Sequence, residues 1–201
     1  MTLVEKLGKK YRGPWLKVKF LQNLSKEYSI YLRNVDFCEA IREAKSLGVL
    51  ILSVQDLTAP GEKFVFGSGL DKDRIIKRCK EVWELPEDKI SKLIEGIPHL
   101  PSRFRFIGLN MDGEPDILLS HLQPYQFMYL LRDYQKISGE SLNLKISTVL
   151  GVCGDAVVRT FLKQEISISF GCKIFRERGG VPQDTFVVAV PLKWAKKLTE
   201  V

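Results

Sequence analysis

Residues 151–191 read GVCGDAVVRTFLKQEISISFGCKIFRERGGVPQDTFVVAVP, and this stretch predicts the fold class. It contains a helix near residues 155–162 and two short strands, at residues 166–170 and 185–190. A further helix follows near residues 192–198. Because these elements do not repeat as regular strand–helix–strand units, the pattern favours an α+β (mixed α/β) fold.

The rest of the chain contains the same mixture of short helices and strands. Helices are predicted at residues 2–11, 37–46, 71–83, 86–95 and 124–138. Strands are predicted at residues 15–20, 49–54, 63–67, 103–109, 116–120 and 142–147, with a turn at residues 59–62. Residues 22–34 form either a loop or an edge strand through Tyr28, Ile30 and Leu32. With no internal repeat and no linker, residues 1–201 are predicted to form a single globular domain, a mixed or antiparallel sheet packed by helices.

The charge pattern bears on the class of partner. Lys and Arg outnumber Asp and Glu by 31 to 24, which gives a net charge of +7. Acidic residues are interleaved with the basic ones, and the densest basic cluster lies near the N-terminus (Lys6, Lys9, Lys10, Arg12, Lys17 and Lys19). This pattern is more typical of a solvated surface than of a nucleic-acid-binding face, so a nucleic-acid partner is disfavoured.

The lengths of the apolar runs and the spacing of the cysteines indicate the cellular compartment. The longest apolar stretch, residues 48–53, is too short to span a bilayer, and the first residues lack the apolar segment of a signal peptide. The four cysteines (Cys38, Cys79, Cys153 and Cys172) include no CxxC spacing, so no zinc or iron–sulfur site is predicted. We expect a cytoplasmic protein with reduced thiols and no membrane partner.

Cys153 lies in a Cys-Gly-Asp-Ala sequence directly before a predicted helix. Gly154 permits a turn, and Asp155 is a residue type that caps helices. At the start of a helix, the dipole lowers the pKa of a cysteine and favours the thiolate. Cys153 is therefore either a reactive or metal-ligating thiol, with Asp155 as an orienting carboxylate, or a small apolar side chain that fills a turn.

Ser169, Gly171 and Cys172 form a Ser-x-Gly-Cys element after a predicted strand. Arg176 follows Cys172 by four residues and would lie beside it if this turn is helical. A guanidinium there could stabilise a thiolate or bind a carboxylate or phosphate, and Gly171 would permit a ligand to approach closely. The alternative is a strand-to-helix connection with arginines on the surface.

A second candidate pocket is formed by the Phe and Tyr residues of the segment 124–129, among them Tyr125. Such a pocket would suit non-catalytic binding of a small molecule. The two histidines, His99 and His121, stand apart in the sequence, so a zinc centre built on histidines is not predicted.

Several elements, which span nearly the whole chain from about Trp15, carry a family resemblance. They are Cys38 with Ala44 and Gly48, residues 59–61 with 66–67, residues 116–120 before 124–128, Cys153, residues 169–172 with Arg176, and residues 188–191. In these elements the chain resembles the uncharacterised archaeal and bacterial family catalogued as domain of unknown function 169. The resemblance implies a common fold and a shared pocket, and it supplies no reaction. Members often carry a cysteine where this chain has Ala59, so a metal site built on shared cysteines would lack one ligand here.

The residues together favour a cytoplasmic protein that binds a small anionic organic ligand or cofactor at a Cys/Arg-lined site. The catalytic candidates are Cys172, Cys153 and Asp155, and the ligand-binding candidates are Arg176, Gly171, Ser169 and Tyr125. The alternatives are a non-catalytic accessory or ligand-binding protein and, third, a nucleic-acid-binding protein. The sequence assigns no reaction, cofactor or oligomeric state, and it leaves open whether the protein is an enzyme.

Overall fold

An antiparallel sheet lies between two layers of helices in the computed structural model, which describes residues 1–28, 33–69, 72–178 and 181–201. The strands in chain order are β1 (Trp15–Leu21), β2 (Leu50–Ser53), β3 (Phe106–Leu109), β4 (Ile117–Leu122), β5 (Ser167–Ser169) and β6 (Phe186–Pro191). Their order across the sheet is β2-β3-β1-β4-β6-β5, and each neighbouring pair is antiparallel. β1 is central, because Val18 faces Leu109 on one side and Ile117 on the other.

Nine α-helices and a π-helical segment surround this sheet in the described residues. The helices are α1 (Leu3–Tyr11), α2 (Phe37–Leu47), α3 (Pro60–Val65), α4 (Lys72–Trp83), α5 (Glu87–Glu95), α6 (Pro124–Ser138), α7 (Arg159–Lys163), α8 (Lys173–Arg178) and α9 (Leu192–Leu198). The π-helical segment (Gly151–Val158) continues directly into α7, and a 3-10 turn (Val54–Asp56) follows β2. None of the described helices is both long enough and apolar enough to cross a membrane.

Strand alternation divides the apolar side chains between the two faces of the sheet. In β4, Ile117 and Leu119 belong to the core beneath α2 to α5, the π-helical segment and α8, which we call the cysteine-side core. Leu118 and Leu122 belong to the core beneath α1, α6 and α9, which we call the α1-side core. Side chains that alternate at period 2 therefore build two apolar layers, one on each face.

The α+β class and most of the predicted elements are confirmed, since local signals determine them. Pro124 stands at the first position of α6, and Gly139 ends that helix in a left-handed conformation with φ +71°. The predicted edge strand through Ile30 and Leu32 lies outside the described residues, as does the start of the α4 prediction at Asp71.

Four element predictions differ from the structure. The turn at residues 59–62 and the strand at residues 63–67 are replaced by α3, because Pro60 initiates a helix and a short apolar run does not distinguish a helix from a strand. Residues 142–147 form no strand; they are irregular, although Leu142 and Leu144 pack on the α1-side core. The helix predicted from Asp155 begins earlier, as the π-helical segment from Gly151.

Candidate functional site

All four cysteines of the chain line one cavity of about 260 Å³ on the cysteine side of the sheet. Each comes from a different element: Cys38 from the first turn of α2, Cys79 from α4, Cys153 from the π-helical segment, and Cys172 from the residue before α8. The elements meet because α2 packs against α8, and α3 packs against both α4 and the π-helical segment. Each of the four cysteines is a thiol.

The four thiols differ in their access to solvent. Cys38, Cys79 and Cys153 are only 3, 7 and 4 % exposed, whereas Cys172 is partly exposed. Burial raises the pKa of Cys153 and of Cys79, because a thiolate loses its hydration inside the protein. Cys172 is therefore the sulfur of this group that a reagent in solution reaches most readily.

The sulfur of Cys172 is held by hydrogen-bond donors. The backbone N–H of Phe175 donates to Cys172 Sγ at 3.4 Å, and the thiol of Cys38 also donates to it. The hydrogen bond to Cys172, followed by burial, raises the pKa of Cys38 well above the usual range of a thiol. After burial and the Glu62 charge, the interaction with Cys172 contributes to the raised pKa of Cys153; after burial and the Asp36 charge, it contributes to the raised pKa of Glu62. Hydrogen bonds to a sulfur stabilise its thiolate, so this geometry favours Cys172 as the thiolate of the group.

Glu62 adds a buried carboxyl group to the cavity. It is 4 % exposed, and its Oε2 accepts a hydrogen bond of 2.9 Å from the N–H of Phe37. Burial raises the pKa of Glu62 to about 8, so most molecules carry a protonated Glu62 at neutral pH. Cys38 Sγ also lies 3.7 Å from Glu62 Oε1. Since Cys38 has one proton, it donates at any one time either to Glu62 Oε1 or to the Cys172 sulfur.

The rest of the cavity lining is mostly apolar, with cations at the exposed end. The apolar part includes Ile75, Val82, Trp83, Leu150 and Val152. Arg78 and Lys173 also line the cavity, and their side chains are each 61 % exposed. Both have acidic neighbours: Arg78 lies 3.0 Å from Glu81, and Lys173 lies 4.0 Å from Glu177. The cavity thus joins an apolar, thiol-bearing interior to a solvated cationic mouth.

Arg176 lies one helical turn from Cys172, as the spacing predicted, since its N–H donates to the Cys172 carbonyl at 3.1 Å. Its guanidinium is directed elsewhere. It donates to the carbonyls of Phe170, Pro182 and Thr185 at 2.7, 2.7 and 2.6 Å. It therefore ties the turn before α8 to the segment before β6, and it is not among the cavity-lining residues.

Ser169 and Gly171 shape the same turn. Gly171 has φ +84°, and a side chain added there would press against the ring of Phe175. Its N–H donates to the buried Ser169 hydroxyl at 3.0 Å. These two residues position Cys172 and do not line the cavity themselves.

Asp155 and Tyr125 lie apart from the cavity lining. Asp155 does not cap a helix; it lies inside the π-helical segment and forms an ion pair of 2.8 Å with Arg159. Burial raises the pKa of Asp155, and the Arg159 charge opposes that effect. Tyr125 is 47 % exposed on α6, which packs on the other face of the sheet.

Sequence reasoning missed Cys79 and Glu62 as members of the site and named Cys38 only as a point of resemblance. Cys38 and Cys79 occupy ordinary positions on amphipathic helices, so nothing local distinguishes them from core residues. The sequence predicts Glu62 in a turn, although a carboxylate two residues after Pro60 also suits the first turn of a helix. Ala59 lines the cavity too. Among the described residues, no group of three or more His, Cys, Asp or Glu side chains is arranged to hold a metal ion.

The fold and the cavity define a single-domain α+β protein with a thiol-lined pocket between an antiparallel sheet and its helices. The sequence model of DUF169, described as uncharacterised ArCR, matches residues 16–201. The chain belongs to this family. No curated protein and no solved structure gives a significant match to it.

Proposed function

We propose that this protein binds a small organic molecule in the cysteine-lined cavity. The molecule has an apolar body and a negatively charged group, and Cys172 is the reactive group of the protein. The observation that carries the proposal is the convergence of four thiols and Glu62 on one cavity with Arg78 and Lys173 at its mouth. Pockets that combine apolar walls with a few convergent polar groups are the usual form of small-molecule sites.

The charges of the residues that line the cavity indicate where the anionic and the apolar parts of the ligand would lie. Burial raises the pKa of Glu62 and of Cys153, so these two interior groups favour their neutral forms, and the negative charge of the nearby Asp36 adds to the rise at Glu62. An anionic group is therefore best placed between Arg78 and Lys173, where it stays partly solvated, and the apolar body lies against Trp83 and its neighbours. The proposal assigns no ligand contact to Arg176, whose guanidinium donates to three backbone carbonyls.

Alkylation of the native protein tests the reactive group and the charge preference together. The Cys172 thiolate displaces iodide from iodoacetate or iodoacetamide, so a C–S bond forms and a C–I bond breaks. We expect Cys172 to be labelled at least about tenfold faster than the other three thiols, as peptide mapping by mass spectrometry would show. We also expect the rate ratio of iodoacetate to iodoacetamide to fall in an Arg78→Gln, Lys173→Gln double variant.

A matched control is Arg42→Gln, which removes an exposed cation from α2 that does not line the cavity. It should leave the ratio unchanged. Equal labelling of all four thiols, or no labelling of Cys172 in the native protein, would overturn the assignment of Cys172. An unchanged ratio in the double variant would overturn the anionic ligand class.

The alternative is binding without covalent chemistry, which the apolar walls of the same cavity also favour. A Cys172→Ser variant separates the two. If an anionic, environment-sensitive fluorophore binds wild type and variant equally well and Cys172 is not selectively alkylated, the protein is an accessory binding protein.

A further inference from the structure

We propose that Cys172 and Cys38 carry out thiol–disulfide exchange with a small, negatively charged disulfide, and that Glu62 transfers the protons. This inference rests on the proposed function, since it takes the cavity as the ligand site and Cys172 as the attacking group. It adds a substrate class, a second reacting thiol and a proton carrier.

Cys38 is the thiol best placed to resolve a mixed disulfide on Cys172. Cys38 and Cys172 line the same cavity, and a hydrogen bond to Cys172 is the largest cause of the raised pKa of Cys38, which indicates that the two side chains face each other. Cys153 is directed differently, because its S–H points to the carbonyl of Leu150 at 3.8 Å. A disulfide requires an S–S bond of about 2.05 Å. Cys172 lies directly before α8 and Cys38 lies in the first turn of α2, and these two helices pack against each other.

Glu62 is placed to transfer protons in both steps. Its Oε1 lies 3.7 Å from the Cys38 sulfur, and it lines the same cavity as Cys172. Because burial raises the pKa of Glu62 to about 8, the carboxyl group exchanges protons readily near neutral pH. Loss of the Cys172 charge on mixed-disulfide formation removes one of the effects that keep Glu62 protonated, so its carboxylate form becomes easier to reach.

The exchange balances in atoms and charge. The Cys172 thiolate attacks one sulfur of the disulfide RSSR, the Cys172–SR bond forms, the RS–SR bond breaks, and the departing thiolate takes the Glu62 proton. The Glu62 carboxylate then accepts the proton of Cys38. The Cys38 thiolate attacks the Cys172 sulfur, the Cys38–Cys172 disulfide forms, and the second RS⁻ leaves. The small disulfide is the oxidant, and the two protein thiols are oxidised.

The test uses the purified full chain under anaerobic conditions with 3,3′-dithiodipropionate, a small disulfide with two carboxylates. Wild type should release two equivalents of 3-mercaptopropionate and lose two hydrogen atoms by mass, with Cys38 and Cys172 joined in the peptide map. Cys38→Ser should release one equivalent and stop at the mixed disulfide on Cys172. Arg42→Gln is the matched control, because Arg42 lies on α2 like Cys38 but does not line the cavity, and it should behave as wild type.

The substrate class has its own control. The neutral 2-hydroxyethyl disulfide is of similar size, and we expect it to react more slowly with wild type than the dicarboxylate does. Equal rates for the two disulfides would overturn the proposal that the substrate is negatively charged.

A Cys38→Ala variant repeats the Cys38→Ser measurement, so that a folding defect of one substitution does not decide the result.

The failures of this inference and of the proposed function are distinguishable. If Cys172 reacts neither with iodoacetate nor with the disulfide, the proposed function fails. If Cys172 is alkylated selectively but wild type stops at a mixed disulfide, or forms a disulfide with Cys153, only this inference fails.

The proton carrier is tested by Glu62→Gln. Glutamine keeps an oxygen that can accept from the Phe37 N–H, but it transfers no proton. We expect release of the second equivalent to slow by about 100-fold, with the mixed disulfide accumulating. A second step as fast as that of wild type would remove Glu62 from the mechanism.

Discussion

Glu62 and His121 are buried groups whose neutral forms are favoured in the folded protein. Burial, followed by the Lys45 and Arg176 charges, lowers the pKa of His121 to about 3, and Lys45 Nζ lies 3.0 Å from His121 Nδ1. Below about pH 6.5 the unfolded chain binds a proton at His121 that the folded chain does not, so this group reduces stability as the pH falls. Glu62 acts in the opposite direction, because its pKa is raised on folding.

Replacement of Glu62 by glutamine should flatten the stability profile on the alkaline side. In wild type, the contribution of Glu62 is fully present below its ordinary pKa of 4.5 and is lost as the pH rises through about 8. Between those limits its loss reaches up to about 1.4 kcal/mol per pH unit. Urea unfolding of wild type and Glu62→Gln from pH 5 to 8.5 measures this slope. The exposed Glu87→Gln should follow wild type, and parallel profiles for wild type and Glu62→Gln would contradict the expectation.

At the scale of elements, the π-helical segment determines how one wall of the cavity is built. It supplies Val152 and Cys153 to the cavity lining, and all eight of its residues are buried. Gly154 packs closely against Ile97, which follows α5, and against Val65 of α3. A Cβ at this position would lie 2.5 Å from Ile97 Cγ2 and 3.7 Å from Val65 Cγ2. This close approach explains why a glycine follows Cys153.

Gly154→Ala should therefore destabilise the protein, by about 1–3 kcal/mol, because the added methyl group overpacks the wall beside Ile97. Gly8→Ala is the matched control: it lies inside α1, and the nearest atom to its Cβ is the Gly13 carbonyl oxygen at 3.6 Å. That control should stabilise the protein by about 0.5–1 kcal/mol, because alanine has the higher helix propensity. Urea denaturation measures the free energy of unfolding of both variants. A Gly154→Ala protein as stable as wild type would show that the residues around Gly154 rearrange to accommodate the methyl group.

At the scale of the whole molecule, α1 and α9 pack together on the α1-side core. α1 precedes the family match of residues 16–201, yet Leu7 and Tyr11 are almost completely buried in the α1-side core. Lys10 Nζ donates to the Leu198 carbonyl at 2.8 Å and pairs with Asp133 on α6 at 3.0 Å. Tyr11 also donates to Asp133, at 3.1 Å. Asp133 thus joins α1 to α6, and Lys10 joins α1 to the end of α9.

Asp133→Asn should loosen this layer without disturbing the cavity on the opposite face. The amide can still accept from Tyr11, but the charge that pairs with Lys10 is lost, so we expect a loss of about 1.5–3 kcal/mol. Thermal unfolding measures the loss, and the Cys172 alkylation rate, unchanged at 25 °C, checks the cavity. Asp88→Asn, at an exposed pair with Lys89 in the first turn of α5, should cost at most about 1 kcal/mol. An equal loss of stability in the two variants would show that the buried Asp133 interactions stabilise the protein no more than an exposed ion pair does.

Prediction from the sequence succeeded where the signal is local. The bounds of α6 follow from Pro124 and Gly139. Strand β1 follows from alternation, because Leu16, Val18 and Phe20 enter the cysteine-side core while the lysines at 17 and 19 stay partly exposed. It failed at residues 63–67, since a short apolar run fits either a strand or a helix until its neighbours are known. The role of the Arg176 guanidinium was beyond sequence reasoning, because its acceptors include carbonyls of Pro182 and Thr185 on a separate segment.

By itself, the sequence determined the α+β class, most helix and strand positions, the family, and a cysteine followed by a helical turn at residues 172–176. Those properties depend on periodicity, caps and turn residues that act within a few positions of one another. Only the tertiary structure decided that Cys38, Cys79 and Glu62 share a cavity with Cys153 and Cys172. The physical reason is that α2, α3, α4 and the π-helical segment meet through their packing on one face of the sheet, and no local pattern specifies that meeting.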